Sequence, residues 1–298
     1  MSELRFNELR GEEVVYAEQR QDRTLHPPPE ACPLCPNSNE IPRESFEIAV
    51  FENRFPAFSH PDGASEVVVY TDRHEGSFGE LPAERAEALM WVWRDRYGDL
   101  GARSDVEYVL IFENRGTQVG ATLHHPHGQI YGYPFVPPVA AAERRADLRR
   151  GGCTPCSLVE RELHERDRLV LSNGSVAAFV PWAARWPYEI HVALLEHRPS
   201  LVDCSRSELR DLAAALQRVG RGYDALWDMP MPYMMVVHQA PTDGAGGGHL
   251  HVEFYPPLRA PDRVKWLASG EQGGGTFSVD VMPEQAAEEL RAAVGRAR

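Results

Sequence analysis

The chain has 298 residues, 43% of them hydrophobic and 25% charged, which is the balance of a water-soluble globular protein with room for one large domain or two medium ones. Its 31 basic and 44 acidic residues give a net charge of −13, a field that repels duplex nucleic acid but leaves room for a small anionic ligand in a locally basic pocket. No apolar run is long enough to span a bilayer, and the opening MSELRFNELRGEE lacks the apolar core of a signal peptide, so a cytoplasmic protein with no membrane partner is expected.

In chain order, the first candidates for that basic pocket are Arg20 and Arg23, in AEQRQDRT. Next comes PPPEACPLCPNSN, a C-x-x-C pair (Cys32, Cys35) in a Pro- and Asn-rich loop, a setting that suits metal binding better than thiol redox chemistry. SEVVVYTDRH reads as a strand and turn ending at His74, and residues 82–97 as a helix with Pro82 in its first turn. YVLIFEN is a strand. The loop ENRGTQVGATLHHPHGQ follows, with Gly116 and Gly120 allowing close backbone approach to a ligand and Asn114 and Thr122 offering neutral donors. It runs into LHHPHGQIYGYP, where His125, His127 and Gln129 alternate and would share one face of a strand.

After a joining segment, YPFVPPVAAAERRADLRRGG, the same order returns, with the second C-x-x-C pair also read as a loop, in RRGGCTPCSL. Cys153 and Cys156 follow Cys32 and Cys35 by 121 positions, His197 follows His74 by 123, and His249 and His251 follow His125 and His127 by 124. YEIHVALLEH matches the His74 strand, a helix is predicted over 206–227 behind a Ser205/Glu208 capping box, and YMMVVHQ matches YVLIFEN. The expected fold is therefore α+β: two tandem repeats, residues 1–138 and 139–298.

Each repeat offers a full Cys₂His₂ set: Cys32, Cys35, His74 and His125, then Cys153, Cys156, His197 and His249. Such a set closes the coordination sphere of zinc, so one or two structural Zn ions are expected, each worth on the order of 10 kcal/mol to folding. With His125 engaged, His127 is left for chemistry, and Gln129 decides which repeat is reactive. Its counterpart is Glu253, and a carboxylate about 4 Å from a phosphate oxygen would cost roughly 4 kcal/mol at an effective dielectric near 20. A neutral amide donates to that oxygen instead. His127 is thus the expected nucleophile, able to hold a nucleotide as a phosphoramidate and to transfer it with ping-pong kinetics.

HHPHGQIYGYP resembles the H-P-H-G-Q signature of the galactose-1-phosphate uridylyltransferase family, a tandem-repeat branch of the histidine-triad superfamily, and CPLCPNSN, YTDRH, FENRG and HLHVEFYPP follow in the family's order. The resemblance implies two histidine-triad-like repeats on an antiparallel half-barrel sheet with flanking helices. It implies UMP transfer from UDP-glucose to galactose 1-phosphate or a related hexose 1-phosphate, catalytic His127 and Gln129, and nucleotide or phosphate contacts from Arg20, Arg23, Phe51, Asn53, Asn114, Gly120 and Thr122. It implies sugar contacts from Lys265 and Glu271, and a homodimer. Some members hold the second metal with a glutamate and three histidines; Glu143, His238, His249 and His251 fall at those places, beside the Cys₂His₂ set favoured above. Two other readings remain: a nucleotide-sugar phosphorylase or adenylyltransferase using the same histidine with an ADP- or GDP-sugar, separated by its acceptor, and a non-enzymatic zinc-stabilised binding module, whose binding would survive loss of His127.

Overall fold

The β-branched and aromatic runs become strands of one continuous antiparallel sheet, seen in a computed structural model that describes residues 2–23 and 25–297. An N-terminal hairpin of β1 (Glu3–Asn7) and β2 (Glu12–Tyr16) forms a separate two-stranded sheet. The first repeat supplies β3 (Ala49–Glu52), β4 (Ala64–Val69), α1 (Ala83–Gly101), β5 (Tyr108–Arg115) and β6 (His127–Tyr133). Helices α2 (Pro138–Arg150) and α3 (Thr154–Glu165) lead into β7 (Leu169–Asn173), β8 (Val176–Phe179), β9 (Ile190–Leu194), α4 (Arg206–Leu226), β10 (Tyr233–His238) and β11 (His251–Tyr255). A C-terminal arm carries β12 (Leu258–Ala260), β13 (Arg263–Val264), α5 (Ser269–Gly274) and α6 (Pro283–Arg296).

The order across the main sheet is β3-β4-β6-β5-β10-β11-β9-β8-β7. The triplet β4-β6-β5 is thus mirrored by β9-β11-β10 across a seam where β5 and β10 pair, from Tyr233 opposite Arg115 to Val237 opposite Ile111. A single core runs beneath both repeats. Leu89 and Trp93 of α1 and Leu212, Leu216 and Val219 of α4 pack against Ile111, Ile130, Val237 and Val252 of the sheet. A strand buried on its helix-covered face and lined with polar side chains on the other is what the alternation in β6 and β11 requires.

The helix boundaries refine the sequence reading. Pro82 sits at the N-cap of α1, one position before the first turn, and the helix runs past residue 97 to Gly101. Ser205 caps α4 as expected, its side chain accepting from Glu208 N at 3.3 Å while the Glu208 carboxylate accepts from Ser205 N at 2.7 Å. The joining segment is largely helical, and it stops where Gly151 takes a left-handed conformation (φ 73°). The second C-x-x-C then opens α3, with Cys153 as the N-cap and Pro155 in the first turn, where a loop was expected.

One buried carboxyl stitches the repeats together. Glu113 of β5 accepts a hydrogen bond from the hydroxyl of Tyr233 of β10 at 3.1 Å. Burial pushes its pKa up to about 7, against the opposing pull of Arg115, Tyr233 and Tyr70. A carboxyl with a raised folded-state pKa costs stability as pH climbs from the unfolded value of ~4.3 through the folded one, and the cost is level above that window. Glu113→Gln is therefore expected to gain on the wild type between pH 4.5 and 7, by up to about 3 kcal/mol at 1.36 kcal/mol per pKa unit. Urea denaturation of both proteins at pH 5 and pH 8 checks this; an equal difference at the two pH values would refute it.

Candidate active site and metal centres

Strand β6 places His127, Gln129, Tyr131 and Tyr133 on one face by its period of two, and turns Gly128, Ile130 and Gly132 toward the helices. Gly128 has a steric reason: a Cβ there would overlap the hydroxyl of buried Tyr70 and lie 3.0 Å from the Phe112 carbonyl oxygen. His127 Nδ1 lies 2.8 Å from the His125 carbonyl oxygen and donates to it, which leaves the lone pair on Nε2. Burial pushes the His127 pKa down, partly offset by that backbone hydrogen bond, so the ring is kept neutral. Gln129 Oε1 accepts from Asn53 Nδ2 at 3.2 Å and from the Tyr131 hydroxyl at 3.4 Å. Its NH₂ is left to point outward.

His127 stands in the wall shared by two clefts. The first combines the apolar side chains Leu34, Phe51, Val67 and Leu123 with Arg23, Glu40, Asn53, Arg54, Thr122 and Gln129. One Arg23 nitrogen, Nη2, is buried without a hydrogen-bond partner among the described residues, as suits a group that meets an anionic ligand. The second cleft is larger and takes in Asn114, Gly116, Gln118, Glu113 and Arg115. Gly120 is left-handed (φ 78°) with open space around its Cβ position. Arg20 lies outside both walls and turns its guanidinium to the Tyr131 hydroxyl (3.0 Å) and the Phe55 carbonyl (3.4 Å). Lys265 and Glu271 also lie outside them; they pair with each other at 3.0 Å in the C-terminal arm. Leu34, Glu40, Val67 and Tyr131 were missed from the sequence, and only Tyr131 had a visible signal, the continuation of the His127–Gln129 alternation.

The Cys/His sets gather as their spacing predicts. Cys35 Sγ lies 3.3 Å from His74 Nδ1 and 3.5 Å from His125 Nδ1, and Cys32 Sγ lies 3.9 Å from the latter. In the second repeat Cys156 Sγ lies 3.4 Å from His197 Nδ1 and 3.1 Å from His249 Nδ1, with Cys153 Sγ 3.7 Å from the latter. Zinc–sulfur and zinc–nitrogen bonds set tetrahedral edges of about 3.5 Å, so both sets fit that ion. The far nitrogens agree: Nε2 of His125 faces the Thr71 carbonyl (2.8 Å) and Nε2 of His249 the Leu194 carbonyl (3.1 Å), fixing each Nδ1 toward the centre. Glu143, His238 and His251 form a third group of their own, apart from His249. His238 Nδ1 is 2.9 Å from Glu143 without the alignment of a hydrogen bond.

The second repeat copies the His127 strand with its polarity changed. His251 Nδ1 lies 2.7 Å from the His249 carbonyl, as His127 lies to that of His125. The residue in the place of Gln129 is Glu253, and its strand neighbour is His191, where Gln129 has Val67. Glu253 meets His191 at 3.1 Å, His251 at 3.5 Å and His238 at 3.6 Å. Burial raises the Glu253 pKa, but these imidazoles outweigh it and hold the carboxyl well below its usual range. The carboxylate is engaged by these imidazoles, by the Tyr255 hydroxyl and, at 3.8 Å, by Arg185.

Comparison with known proteins agrees with this geometry. The family profile for the galactose-1-phosphate uridyl transferase N-terminal domain matches residues 59–137, and that for its C-terminal domain matches residues 145–296. The chain is 38% identical to the galactose-1-phosphate uridylyltransferase of Thermotoga maritima, over 98% of each chain, and 35% identical to that of Streptomyces lividans, over 97% of this chain and 86% of that one. A solved uridylyltransferase structure superposes with a TM-score of 0.89 at 31% identity, covering 99% of both chains. The chain with the His127–Gln129 strand and the paired Cys₂His₂ sets belongs to the galactose-1-phosphate uridylyltransferase family.

Proposed function

We propose that the protein moves UMP from UDP-glucose to galactose 1-phosphate, or a related hexose 1-phosphate, through a uridylyl-His127 intermediate. The observation that carries this reading is the free Nε2 of a neutral His127 at the wall between two clefts, beside the outward NH₂ of Gln129. Uridine would lie against Phe51, Leu34 and Val67, with Asn53 and Thr122 as polar partners and Arg23 meeting phosphate. Nε2 attacks the α-phosphorus, the bond from that phosphorus to the bridging oxygen breaks, and glucose 1-phosphate leaves with the electron pair. The proton stays on Nδ1 of His127 throughout, donated to the His125 carbonyl oxygen. A phosphate oxygen of the acceptor then attacks the same phosphorus, the N–P bond breaks, and neutral imidazole returns. Gln129 donates to the phosphoryl oxygens as charge builds on them, with Asn114 beside His127 in the wall of the second cleft.

The first test is an intact mass after mixing with UDP-glucose in the absence of acceptor. An acid-labile adduct of one UMP is expected on the wild type and none on His127→Ala; an adduct that persists in the variant would remove His127 from the chemistry. Screening sugar phosphates and inorganic phosphate for discharge of the adduct identifies the acceptor.

The reading includes two zinc ions per chain, held by Cys32, Cys35, His74 and His125 and by Cys153, Cys156, His197 and His249. Zinc there supplies cross-links between loops and strands, because four protein ligands leave no position for substrate. It also takes the enzyme as a cytoplasmic homodimer, with Lys265 and Glu271 serving sugar recognition. Among the described residues no helix is long and apolar enough to cross a membrane. Metal analysis of purified protein is expected to give two zinc per chain, and Cys32→Ala is expected to retain one and lose several kcal/mol of stability. Unchanged metal content in that variant would remove Cys32 from the ligand set.

A further inference from the structure

An amide side chain helps a phosphoryl site only in one of its two orientations. If the Gln129 carbonyl oxygen faced the cleft, it would repel the phosphate oxygens that its NH₂ would otherwise receive. Two chains of hydrogen bonds, each starting at a group that can only donate, converge on Gln129 Oε1. On one side the backbone N–H of Phe55 donates to Asn53 Oδ1 at 2.9 Å. Asn53 must then present its Nδ2, which reaches Gln129 Oε1 at 3.2 Å. On the other side the Arg20 guanidinium donates to the Tyr131 oxygen at 3.0 Å, and the Tyr131 proton is left for Gln129 Oε1 at 3.4 Å.

The second repeat contains the same device with its direction beyond dispute. Arg185 Nη2 lies 3.4 Å from the Tyr255 oxygen, and the Tyr255 hydroxyl hydrogen-bonds Glu253. A carboxylate can only accept, so the tyrosine there is the donor. Tyr255 follows Tyr131 by the same 124 positions that separate Glu253 from Gln129 and His251 from His127. Arg185 keeps no such lag with Arg20; the arginine arrives from an unrelated segment in each repeat and does the same thing.

We infer that Tyr131, polarised by Arg20, is a positioning residue that fixes the Gln129 amide with its NH₂ toward the reacting phosphoryl group. Tyr131 itself is buried at 8% exposure and lies outside the walls of both clefts, so it acts through Gln129 and not on substrate. The inference rests on the uridylyl-transfer reading only for the identity of the group that Gln129 meets; the orientation of the amide belongs to the protein alone.

Its test is a double-mutant cycle on Tyr131→Phe and Gln129→Ala. Single-turnover release of glucose 1-phosphate from UDP-glucose is expected to slow about tenfold in Tyr131→Phe, the order of one charge-polarised hydrogen bond, with KM within about twofold of wild type. In the Gln129→Ala background the same substitution is expected to change nothing further. Equal losses in the two backgrounds, or a wild-type rate in Tyr131→Phe, overturn the inference. Arg20→Gln, changed at a half-buried site, is expected to follow the same pattern more weakly; a raised KM with an unchanged rate would put Arg20 on substrate instead and break the chain. A second readout needs no substrate. In ¹⁵N-labelled protein the Gln129 side-chain amide signals, identified by their loss in Gln129→Ala, are expected to shift in Tyr131→Phe, and unmoved signals overturn the inference. If the wild type takes no UMP from UDP-glucose, the functional reading falls, and this spectrum still decides the orientation.

Discussion

His125 is held at both ends, and the site hangs from it. Its ring lies in the first Cys₂His₂ set, with Nδ1 facing two sulfurs and Nε2 on the Thr71 carbonyl. Its own carbonyl oxygen receives Nδ1–H of His127. The hydrogen bond that leaves the lone pair on Nε2 of His127 is therefore made by the backbone of a residue whose ring belongs to the Cys₂His₂ set. A ring free to rotate would offer either nitrogen, and a misplaced attacking atom costs orders of magnitude in a displacement at phosphorus. On the uridylyl-transfer reading, a closed Cys₂His₂ centre that never touches substrate would govern the reaction rate by this route. The coupling is tight, because only Pro126 separates His125 from His127.

Duplication explains why the second half looks so much like the first. The mirrored strand triplets on either side of the β5–β10 seam give each repeat a histidine held on a backbone carbonyl and a polar residue two positions on. What differs is charge. Gln129 sits beside Val67, with its amide free to serve a ligand, whereas Glu253 sits beside His191 and is enclosed by three imidazoles. A carboxylate already committed to neighbouring imidazoles is a poor place for an anionic substrate and a good internal clasp. Amide in one repeat and carboxylate in the other is thus a division of labour decided by electrostatics.

The repeat, the strand carrying the histidines and both Cys₂His₂ sets were legible because each is set by local periodicity or by chemistry that few residue types can perform. Cys35 and His125 are 90 positions apart, yet the lag between repeats predicted that they would meet. Elements set by packing were less visible. The segment over 138–150 looked like a linker because its alanines and arginines carry no strong apolar stripe, and CTPC looked like a loop because Gly151, Gly152 and Pro155 surround it. Left-handed Gly151 turns out to end one helix, and Cys153 and Pro155 to start the next. Arg20 read as a phosphate ligand on sequence grounds, and its geometry directs it to Tyr131; no spacing rule connects a short 3₁₀ segment at 18–22 to a strand 111 residues later.

Charge also reconciles the acidic chain with an anionic substrate. A net −13 is spread over the whole surface, and exposed charges beyond about 8–10 Å are screened at physiological salt. A phosphate inside the cleft responds to what lines it: Arg23 with an unpaired buried nitrogen, Arg54 tied at 3.5 Å to Glu40, and the neutral donors Asn53, Thr122 and Gln129. The one carboxylate in that wall is already paired. Among polyanions the global field dominates, since a duplex would have to lie across many acidic side chains at once. For a single diphosphate the local wall dominates, so a net-acidic chain and an anionic ligand in this cleft are compatible. The selection is made by the size of the ligand relative to the screening length, before any base or sugar is read.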